Sequence, residues 1–414
     1  MTSFAIQNFG CRVNQAECFA WAEQLELHGL ELRKESTRAD IVVVNTCTLT
    51  SRADRDVRKF IRRIERQNPE ARLVLTGCSV EAKRAEFERI PQAWLVLSNT
   101  EKNELGEKVC SGVEPSRPGL FQPLRSRALL KVQDGCNFRC AFCIIPNVRG
   151  RSRSLSRPEI LDQARRLINH GFREIVLCGI HLSSYGHDLQ PRSSLLGLLQ
   201  DLNELEGLGL IRLSSLDPRF LDEELLEFIT ASRAICPHFH LSLQHGSDRM
   251  LGLMGRGSRR ADHGRILSRL RRNSPGAALG ADIIVGFPEE TEEDFEASFR
   301  FIERSPLAYL HVFSYSARPG TPAAARPQVP EDVKRRRSER LRNLAQEKWL
   351  SFRLNFLGQT VGGIVIKKQA GEAAVLTGNY INVRVPECSF EPGQEVKVKV
   401  TAVSSEMTAG EIVG

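Results

Sequence analysis

The chain has 414 residues, of which 41% are hydrophobic and 26% charged, a composition typical of a globular protein with more than one domain. It has no apolar run long enough to span a membrane and no signal-peptide pattern, so we expect a cytoplasmic protein without a membrane partner. In that reducing compartment, eleven cysteines indicate metal ligands or reactive thiols instead of disulfides. The net charge of +8 favours a polyanionic partner only weakly.

The first segment, residues 1–125, alternates short apolar runs with amphipathic stretches, which predicts an open parallel α/β sheet. Helices are expected over residues 15–28, 54–67, 81–90 and 101–109. Cys11, Cys47 and Cys78 each follow one of the first three predicted strands. Open α/β sheets place their ligands at this end of the strands, so we predict that the three thiols share a metal site. The alternative is three ordinary buried cysteines.

The second segment, residues 126–330, contains six strand-like runs with helices between them, which predicts a partial (βα)6 barrel. These helices are expected over residues 158–170, 193–205, 222–231, 260–271 and 292–303. Residues 331–354 form a basic helical connector, and the alternating pattern of residues 355–414 predicts a small β-barrel of about five strands. The expected fold class is therefore α/β with a terminal all-β barrel.

The loop after the first strand of the second segment, DGCNFRCAFC, contains Cys136, Cys140 and Cys143. Structural zinc sites usually use four ligands, often in C-x2-C pairs, and two-cluster ferredoxins use C-x2-C-x2-C-x3-C. The spacing C-x3-C-x2-C matches neither pattern. By itself it indicates a metal site with three thiolate ligands.

This spacing resembles that of the radical S-adenosylmethionine (SAM) enzymes. The resemblance implies a [4Fe-4S] cluster on Cys136, Cys140 and Cys143 whose open iron binds SAM. Phe142 matches a family aromatic that packs near the adenine, and Gly179 lies in LCGIHLSSYG, which resembles the segment near the methionine part of SAM. Asp217 is expected either to bind a polar group of SAM or only to cap the next helix. The candidate cofactor-binding residues are Phe142, Gly179, Asp217 and Gln244.

Over nearly its whole length the chain resembles the methylthiotransferases, which join an amino-terminal cluster domain, a radical-SAM barrel and a carboxy-terminal TRAM barrel. The matching stretches include NFGCRVNQAE, VVNTCTLT, LTGCS, RGRSRS, DIIVGFPEETEEDF and FSYSARPGTPAA. The resemblance implies a second [4Fe-4S] cluster on Cys11, Cys47 and Cys78, which holds the sulfur to be inserted. It also implies two SAM molecules per turnover, an electron donor and a sulfur source.

GCRVNQAE and RGRSRS resemble the branch that acts on N6-threonylcarbamoyladenosine at position 37 of tRNA. The alternatives are isopentenyladenosine in tRNA and an aspartate of a ribosomal protein. A non-catalytic RNA-binding protein with structural metal is a further reading, disfavoured by the complete SAM-cluster triad. Asn147 and His245 depart from the family pattern.

The resemblance implies the tRNA anticodon stem-loop as the partner, and arginine forks and a basic β-barrel with an aromatic residue are plausible contacts with RNA. An ordinary solvated helix face is the alternative for the basic helix. The candidate RNA-binding residues are Arg149, Arg151, Arg153, Lys334, Arg335, Arg336, Lys367 and Tyr380.

Cysteines outside the two triads are expected to be buried or incidental thiols: Cys18, Cys110, Cys178, Cys236 and Cys388. His181, His240 and His245 are expected to make ordinary hydrogen bonds, because both clusters already have their thiolates.

Overall fold

The computed structural model describes residues 2–111, 126–369 and 371–413. These residues form two units. The first holds residues 2–111, 134–139 and 143–153, and the second holds residues 126–133, 140–142, 154–369 and 371–413. The predicted division at residues 125, 330 and 354 stays a prediction.

A five-stranded parallel sheet forms the centre of the first unit, with the strand order β2-β1-β3-β4-β5. Its strands are β1 (Ser3–Asn8), β2 (Glu31–Leu32), β3 (Ile41–Thr46), β4 (Arg72–Gly77) and β5 (Ala93–Leu97). Its helices are α1 (Arg12–Leu27), α2 (Ser51–Gln67), α3 (Cys78–Ala82), α4 (Arg84–Glu88), α5 (Leu105–Val109) and α6 (Ile145–Arg149). The sheet confirms the predicted open parallel architecture, but the helix expected over residues 81–90 is split into α3 and α4 at Lys83.

The central strands of this sheet are buried on both faces, as the β-branched run of β3 predicts. Val42 and Val44 of β3 pack with Ile61 of α2 on one face. Val43, from the same strand, packs with Trp21 of α1 on the other. Helices on both faces leave the strand ends as the places where polar groups can collect.

Six parallel strands of the second unit confirm the predicted partial barrel. With the short β7, the strands are β6 (Ala128–Asp134), β7 (Arg153–Ser154), β8 (Glu174–Gly179), β9 (Leu210–Leu213), β10 (His238–Gln244), β11 (Ala278–Val285) and β12 (Tyr309–Ser314). They form sheets in the orders β7-β6-β8-β9 and β10-β11-β12, joined by isolated parallel bridges such as Ile211 with Ile235. The helices are α7 (Arg157–Asn169), α8 (Leu195–Asn203), α9 (Glu223–Ala231), α10 (Asp248–Leu253), α11 (Arg260–Asn273) and α12 (Glu292–Arg304).

The basic helix α13 (Glu331–Leu354) leads into a closed five-stranded barrel, which confirms the prediction for the carboxy-terminal region. The barrel strands are β13 (Thr360–Gln369), β14 (Glu372–Thr377), β15 (Asn382–Pro386), β16 (Glu395–Val403) and β17 (Thr408–Ile412). Arg212 of β9 ties this barrel to the parallel strands, because it donates to the carbonyls of Gly378 and Thr377 at 2.9 and 3.2 Å. Within the described ranges, no helix is long and apolar enough to cross a membrane.

Candidate functional site

Three cysteines of the first unit lie at one edge of its sheet. Cys47 directly follows β3, Cys78 is the first residue of α3 after β4, and Cys11 is the residue before α1. Because β1, β3 and β4 are neighbouring parallel strands, their carboxyl ends meet at the same edge. The fold therefore brings the three cysteines to the positions expected from the sequence; their binding of a metal stays a prediction.

Burial of Cys47 and Cys78 sets the proton chemistry of these two thiols. The pKa of the Cys47 thiol is raised to about 12, first because it is buried, and also because Cys78 and Cys11 lie near it. Burial also raises the pKa of Cys78, and the positive charge of Arg149 opposes that shift. Three neighbouring thiols in such a place disfavour a full set of thiolates unless a cationic centre binds and displaces their protons.

Arg149 lies directly against this site, and its side chain is fully buried. Its Nε lies 3.2 Å from Cys78 Sγ, while Nη1 donates to Glu17 at 2.9 Å and to Asp134 at 2.8 Å. Its Nη2 donates to Asn14 Oδ1 at 2.9 Å, and that oxygen also accepts from the Cys11 thiol at 3.2 Å. One guanidinium thus links two of the three cysteines to the buried carboxylates.

Lys102 supplies the second buried cation of this network. Its Nζ lies 2.6 Å from Glu17 Oε1 and 3.5 Å from Asp134 Oδ2, and it donates to Asn99 Oδ1 at 2.9 Å. Lys102 and Arg149 therefore balance the charges of Glu17 and Asp134. We name these four side chains the buried charge cluster.

The backbone next to Cys78 explains why glycine precedes it. Gly77 has φ of +100°, and a Cβ there would lie 2.5 Å from the carbonyl oxygen of Thr46. Only glycine allows β4 to end so close to β3 and turn directly into α3. The turn places Cys78 on the first residue of that helix.

The donor set at this edge fits an iron–sulfur cluster. Thiolate sulfur is the usual protein ligand of such clusters, and three thiolates leave one metal position for another ligand. A buried anionic group needs a nearby cation, which Arg149 provides at Cys78. Cys18 is not part of the set, because it is buried in the core with Trp21 and Leu25.

The cysteines of the DGCNFRCAFC loop are divided between the two units. In the first unit, the amide of Cys136 donates to Gly150 O at 3.1 Å, and Cys136 Sγ accepts from the amide of Phe138 at 3.4 Å. Cys143, of the same unit, is partly exposed. A Cβ at Gly135, with φ of +67°, would lie 2.0 Å from the carbonyl oxygen of Arg151, so the tight turn before Cys136 requires glycine.

Cys140 belongs to the second unit, where Arg256 Nη1 lies 3.7 Å from its sulfur. Arg256 Nη2 donates to Asp217 Oδ2 at 2.9 Å. Burial alone would raise the pKa of Asp217, but His181, Arg219 and Arg256 hold it well below its usual range. Asp217 is therefore an oriented carboxylate. It also accepts from the amide of Arg219, which is the helix-capping role left open from the sequence.

The other three candidate cofactor residues also belong to the second unit. The ring of Phe142 packs edge to face on Phe287, with centroids 6.5 Å apart. Gly179 ends β8, where a Cβ would meet Leu182 Cα at 3.0 Å. Gln244 ends β10 with the unusual φ of +70°. Gly179 and Gln244 thus lie at carboxyl ends of strands, which is the end that carries active sites in barrel enzymes.

Two of the predicted RNA-binding residues are buried, and the prediction is wrong for them. Arg149 makes the buried contacts with Glu17, Asp134 and Cys78 described above, so its side chain cannot reach a phosphate. Lys334 is 4% exposed, lies against Gly286 and is paired with Glu331 at 2.8 Å.

The remaining predicted RNA-binding residues differ in how exposed their side chains are. Five are exposed: Arg151, Arg153, Arg335, Arg336 and Lys367. Tyr380 is partly buried and stacks on His238, with ring centroids 4.2 Å apart. Their contacts with RNA stay a prediction.

Sequence reasoning missed Arg256 and the buried charge cluster as parts of the sites. Arg256 stands between two glycines in LMGRGS, a weak signal of a buried functional arginine. Lys102 looks like an ordinary surface residue in the sequence, and Glu17 lies in the matching stretch NFGCRVNQAE with no sign there of the residues it pairs with. The five cysteines outside the triads are buried, as expected: Cys18, Cys110, Cys178, Cys236 and Cys388.

Two family models match successive parts of the chain. The model described as "Uncharacterized protein family UPF0004" matches residues 3–98, and the "Radical SAM superfamily" model matches residues 130–302. A relative from Aquifex aeolicus, named threonylcarbamoyladenosine tRNA methylthiotransferase MtaB, is 37% identical over 96% of this chain and 99% of its own length.

The chain belongs to the radical-SAM methylthiotransferase family.

A further relative of this methylthiotransferase is named tRNA-2-methylthio-N(6)-dimethylallyladenosine synthase and comes from Carboxydothermus hydrogenoformans. It is 32% identical, and the match covers 96% of each chain. Among solved structures, the radical SAM methyltransferase TsrM from Kitasatospora setae matches with a TM-score of 0.57 at 16% identity. That match covers 78% of this chain and 77% of the other, and it shows the likeness of the folds. Membership of this family implies a [4Fe-4S] cluster and SAM as cofactors.

Proposed function

We propose that this methylthiotransferase converts N6-threonylcarbamoyladenosine at position 37 of tRNA to its 2-methylthio derivative. The observation that carries the proposal is the match, at 37% identity over nearly the whole chain, to a relative named for that nucleoside. GCRVNQAE and RGRSRS support the same branch. In the structure, the first stretch begins next to Cys11 at the sheet edge, and the second lies at the turn that Gly135 makes possible.

We propose two [4Fe-4S] clusters, one on Cys136, Cys140 and Cys143 and one on Cys11, Cys47 and Cys78. When bound, the clusters and SAM supply the one-electron chemistry, the sulfur atom and the methyl group that modification of an aromatic C–H bond needs. Two SAM molecules per turnover, an electron donor and a sulfur source belong to the same proposal. We place the reaction in the cytoplasm.

The protein's contribution at the amino-terminal triad is electrostatic. Two of its thiols, Cys47 and Cys78, are buried, so a bound anionic cluster loses solvation by water there and needs fixed positive charge. Arg149 supplies that charge at Cys78, and its bonds to Glu17 and Asp134 hold it in place. The side chain therefore positions and compensates the ligand set without being a ligand.

In the second unit, Asp217 is the proposed partner of a polar part of SAM. Arg256, Arg219 and His181 keep it ionised and limit its rotation. Both of its oxygens already accept hydrogen bonds from these side chains, so a ligand hydroxyl or amine would replace one of these donors. Phe142 offers a flat apolar surface already braced by Phe287, which suits a purine ring.

For the tRNA anticodon stem-loop, the exposed basic side chains are the proposed contacts. Arg151 and Arg153 follow the SAM-cluster loop, Arg335 and Arg336 lie on α13, and Lys367 lies on β13. When such side chains neutralise phosphates, the binding affinity falls as the salt concentration rises. On a plot of log affinity against log salt concentration, the slope becomes steeper by about one unit for each phosphate neutralised. Replacing one of these side chains by alanine is thus expected to weaken tRNA binding and to reduce its salt dependence.

A second candidate substrate is isopentenyladenosine in tRNA. The Carboxydothermus relative, which acts on the dimethylallyl nucleoside by its name, is 32% identical to this chain. Relatives on this scaffold are thus named for more than one adenosine derivative, and the higher identity, 37%, is to the relative named for threonylcarbamoyladenosine.

The test uses anaerobically reconstituted protein with SAM, a reductant and tRNA bearing threonylcarbamoyladenosine, followed by digestion and mass spectrometry of the nucleosides. A methylthio mass gain on that nucleoside is expected. The gain should be lost in Cys136→Ala and in Cys47→Ala. Cys18→Ala is the matched control, because it removes a buried thiol only 7% exposed that lies outside both triads.

Cleavage of SAM without a mass gain on this nucleoside would overturn the proposed substrate and leave the family assignment intact. The same assay with isopentenyladenosine tRNA, and then with ribosomal protein, would identify the alternative. Loss of activity in Cys18→Ala equal to that in Cys47→Ala would instead show that the assay reports only on folding.

A further inference from the structure

Three metal-ligating side chains outside the cysteine triads meet on adjacent strands of the second unit. His240 lies on β10, Asp282 on β11 and His311 on β12, and these strands are neighbours in one parallel sheet. The three side chains share a face, since Phe239 and Leu241 on either side of His240 alternate to the opposite one. One ligand atom of each lies within 4.8 Å of the other two.

His240 and Asp282 are in close contact, with His240 Nε2 2.8 Å from Asp282 Oδ1. His240 is 5% exposed, so this contact is largely shielded from water. On the other side of the carboxylate, His311 Nδ1 lies 3.3 Å from the same Oδ1.

A second contact holds the other side of the His240 ring. Its Nδ1 lies 2.9 Å from Tyr309 Oη, and that oxygen lies 2.7 Å from His238 Nε2. In the tautomer whose Nδ1 donates to Tyr309, Nε2 presents a lone pair to a carboxylate oxygen 2.8 Å away, and a shared cation turns the repulsion between these two acceptors into attraction. Metal-bound histidines commonly donate their other ring nitrogen in this way. In the other tautomer, Nε2–H donates to the same oxygen.

The position of Tyr309 depends on Gly280. A Cβ at Gly280 would lie 2.1 Å from Tyr309 Cζ and 2.4 Å from its Oη. The glycine therefore leaves the space in which the phenol reaches His240 and His238. Tyr309, which contacts His240, therefore lies in the same sheet as His240 itself.

We propose that His240, Asp282 and His311 form a binding site for one divalent transition-metal ion, with zinc as the reference ion. Two imidazoles and one carboxylate suit Zn²⁺ and its first-row neighbours, whereas Mg²⁺ and Ca²⁺ prefer sites made of oxygen. The sequence predicts ordinary hydrogen bonds for His240, and its contact with Tyr309 agrees with that prediction; the metal site is added to it by this proposal. The proposal does not rest on the proposed function, because none of the three residues belongs to either cysteine triad.

The open positions of the ion face a groove of about 880 Å³ that His311 lines and that runs between β12, α13 and the terminal barrel. The His311 side chain is 49% exposed, so the ion has an entry path and room for water or an added ligand. Arg342, Lys367 and Arg384 also line this groove. Three protein ligands with open positions are typical of exchangeable sites, whereas structural zinc usually has four.

The test measures zinc bound by the reconstituted holoenzyme in equilibrium dialysis, with zinc and cluster iron counted separately by mass spectrometry. One zinc per chain is expected above the background of the variants, and its X-ray absorption should show nitrogen and oxygen ligands without sulfur at about 2.3 Å. His240→Ala and the near-isosteric Asp282→Asn should lose this ion. Tyr309→Phe keeps all three ligands and should weaken binding by about 10-fold or more.

His187→Ala is the control, since it removes an exposed histidine of the same unit, and its zinc binding should match that of the unchanged protein. Iron content and cluster absorbance, equal in all variants, verify folding. If His240→Ala does not fold, Asp282→Asn still decides the question. Equal zinc binding in the unchanged protein and Asp282→Asn, or a sulfur shell around the zinc, would overturn the proposal.

Discussion

Replacing Arg149 by methionine is the most direct test of the buried charge cluster. The substitution keeps most of the apolar stem but removes the guanidinium that donates to Glu17, Asp134 and Asn14 at 2.8 to 2.9 Å. Lys102 then remains beside the two buried carboxylates as the one cation of the buried charge cluster. The cluster changes from balanced charge to a net charge of about −1 in a place where water cannot screen it.

Breaking a buried ion pair by removing one partner costs about 3–5 kcal/mol, because the remaining charge is left uncompensated. We expect Arg149→Met to lower the free energy of unfolding of the first unit by that amount. Arg149→Lys keeps the charge but not the fork that reaches four partners, so we expect an intermediate loss of about 1–3 kcal/mol.

Trp21 provides the assay, since it is buried in α1 and its indole donates to Lys102 O at 3.1 Å. Urea unfolding of the cluster-free protein, followed by fluorescence in a Trp94→Phe, Trp349→Phe background, reports on the first unit. Arg151→Met is the control, because Arg151 is exposed two residues from Arg149. We expect that control to change stability by less than about 0.5 kcal/mol.

A double-mutant cycle separates charge imbalance from lost packing. Glu17→Gln in the Arg149→Met background removes the excess negative charge, so it should restore about 1 kcal/mol or more. If Arg149→Met destabilises no more than Arg151→Met, or if Glu17→Gln gives no recovery, the account of this cluster as a balanced network is refuted.

Two further predictions concern other buried charges. Burial raises the pKa of Glu26 to about 7, above the ordinary value, so its carboxyl destabilises the fold as pH rises through 7. In thermal melts, Glu26→Gln should therefore be more stable than the unchanged protein by about 1 kcal/mol at pH 8 and equally stable near pH 4. A difference in stability that does not depend on pH would contradict this prediction. Arg212→Met removes a buried partner of Glu174 and the bonds to Gly378 and Thr377, at a cost of about 3 kcal/mol. Hydrogen exchange in β14 should accelerate, and unchanged exchange there would contradict the prediction.

Local pattern was enough to predict most of the fold because each element carries its own period. The run IVVVNT predicts a central parallel strand. In the structure it forms such a strand, and all of its residues are buried. The alternation of β16, with valines buried and lysines exposed, reads as a half-buried strand of a small barrel. The ends of helices and strands were harder to predict, because no clear signal in the sequence marks the split between α3 and α4 at Lys83.

Charged side chains show where local pattern is insufficient. Arg149 and Arg151 are two residues apart in a run that looks uniformly basic, yet one is fully buried and the other exposed. The partners that bury Arg149 are Glu17, 132 positions away, and Asp134, which belong to other elements. Nothing within a window of neighbouring residues encodes that pairing.

The sequence by itself determined the order of strands and helices, the placement of two cysteine triads at strand ends and the family to which they point. These follow from periodicity and from cysteine spacing, which are local properties of the chain. Only the tertiary structure decided which charges are compensated, that Arg256 reaches Cys140 and that His240, Asp282 and His311 meet on one sheet face. The physical reason is that solvation and pairing of a charge depend on atoms brought together from distant parts of the chain.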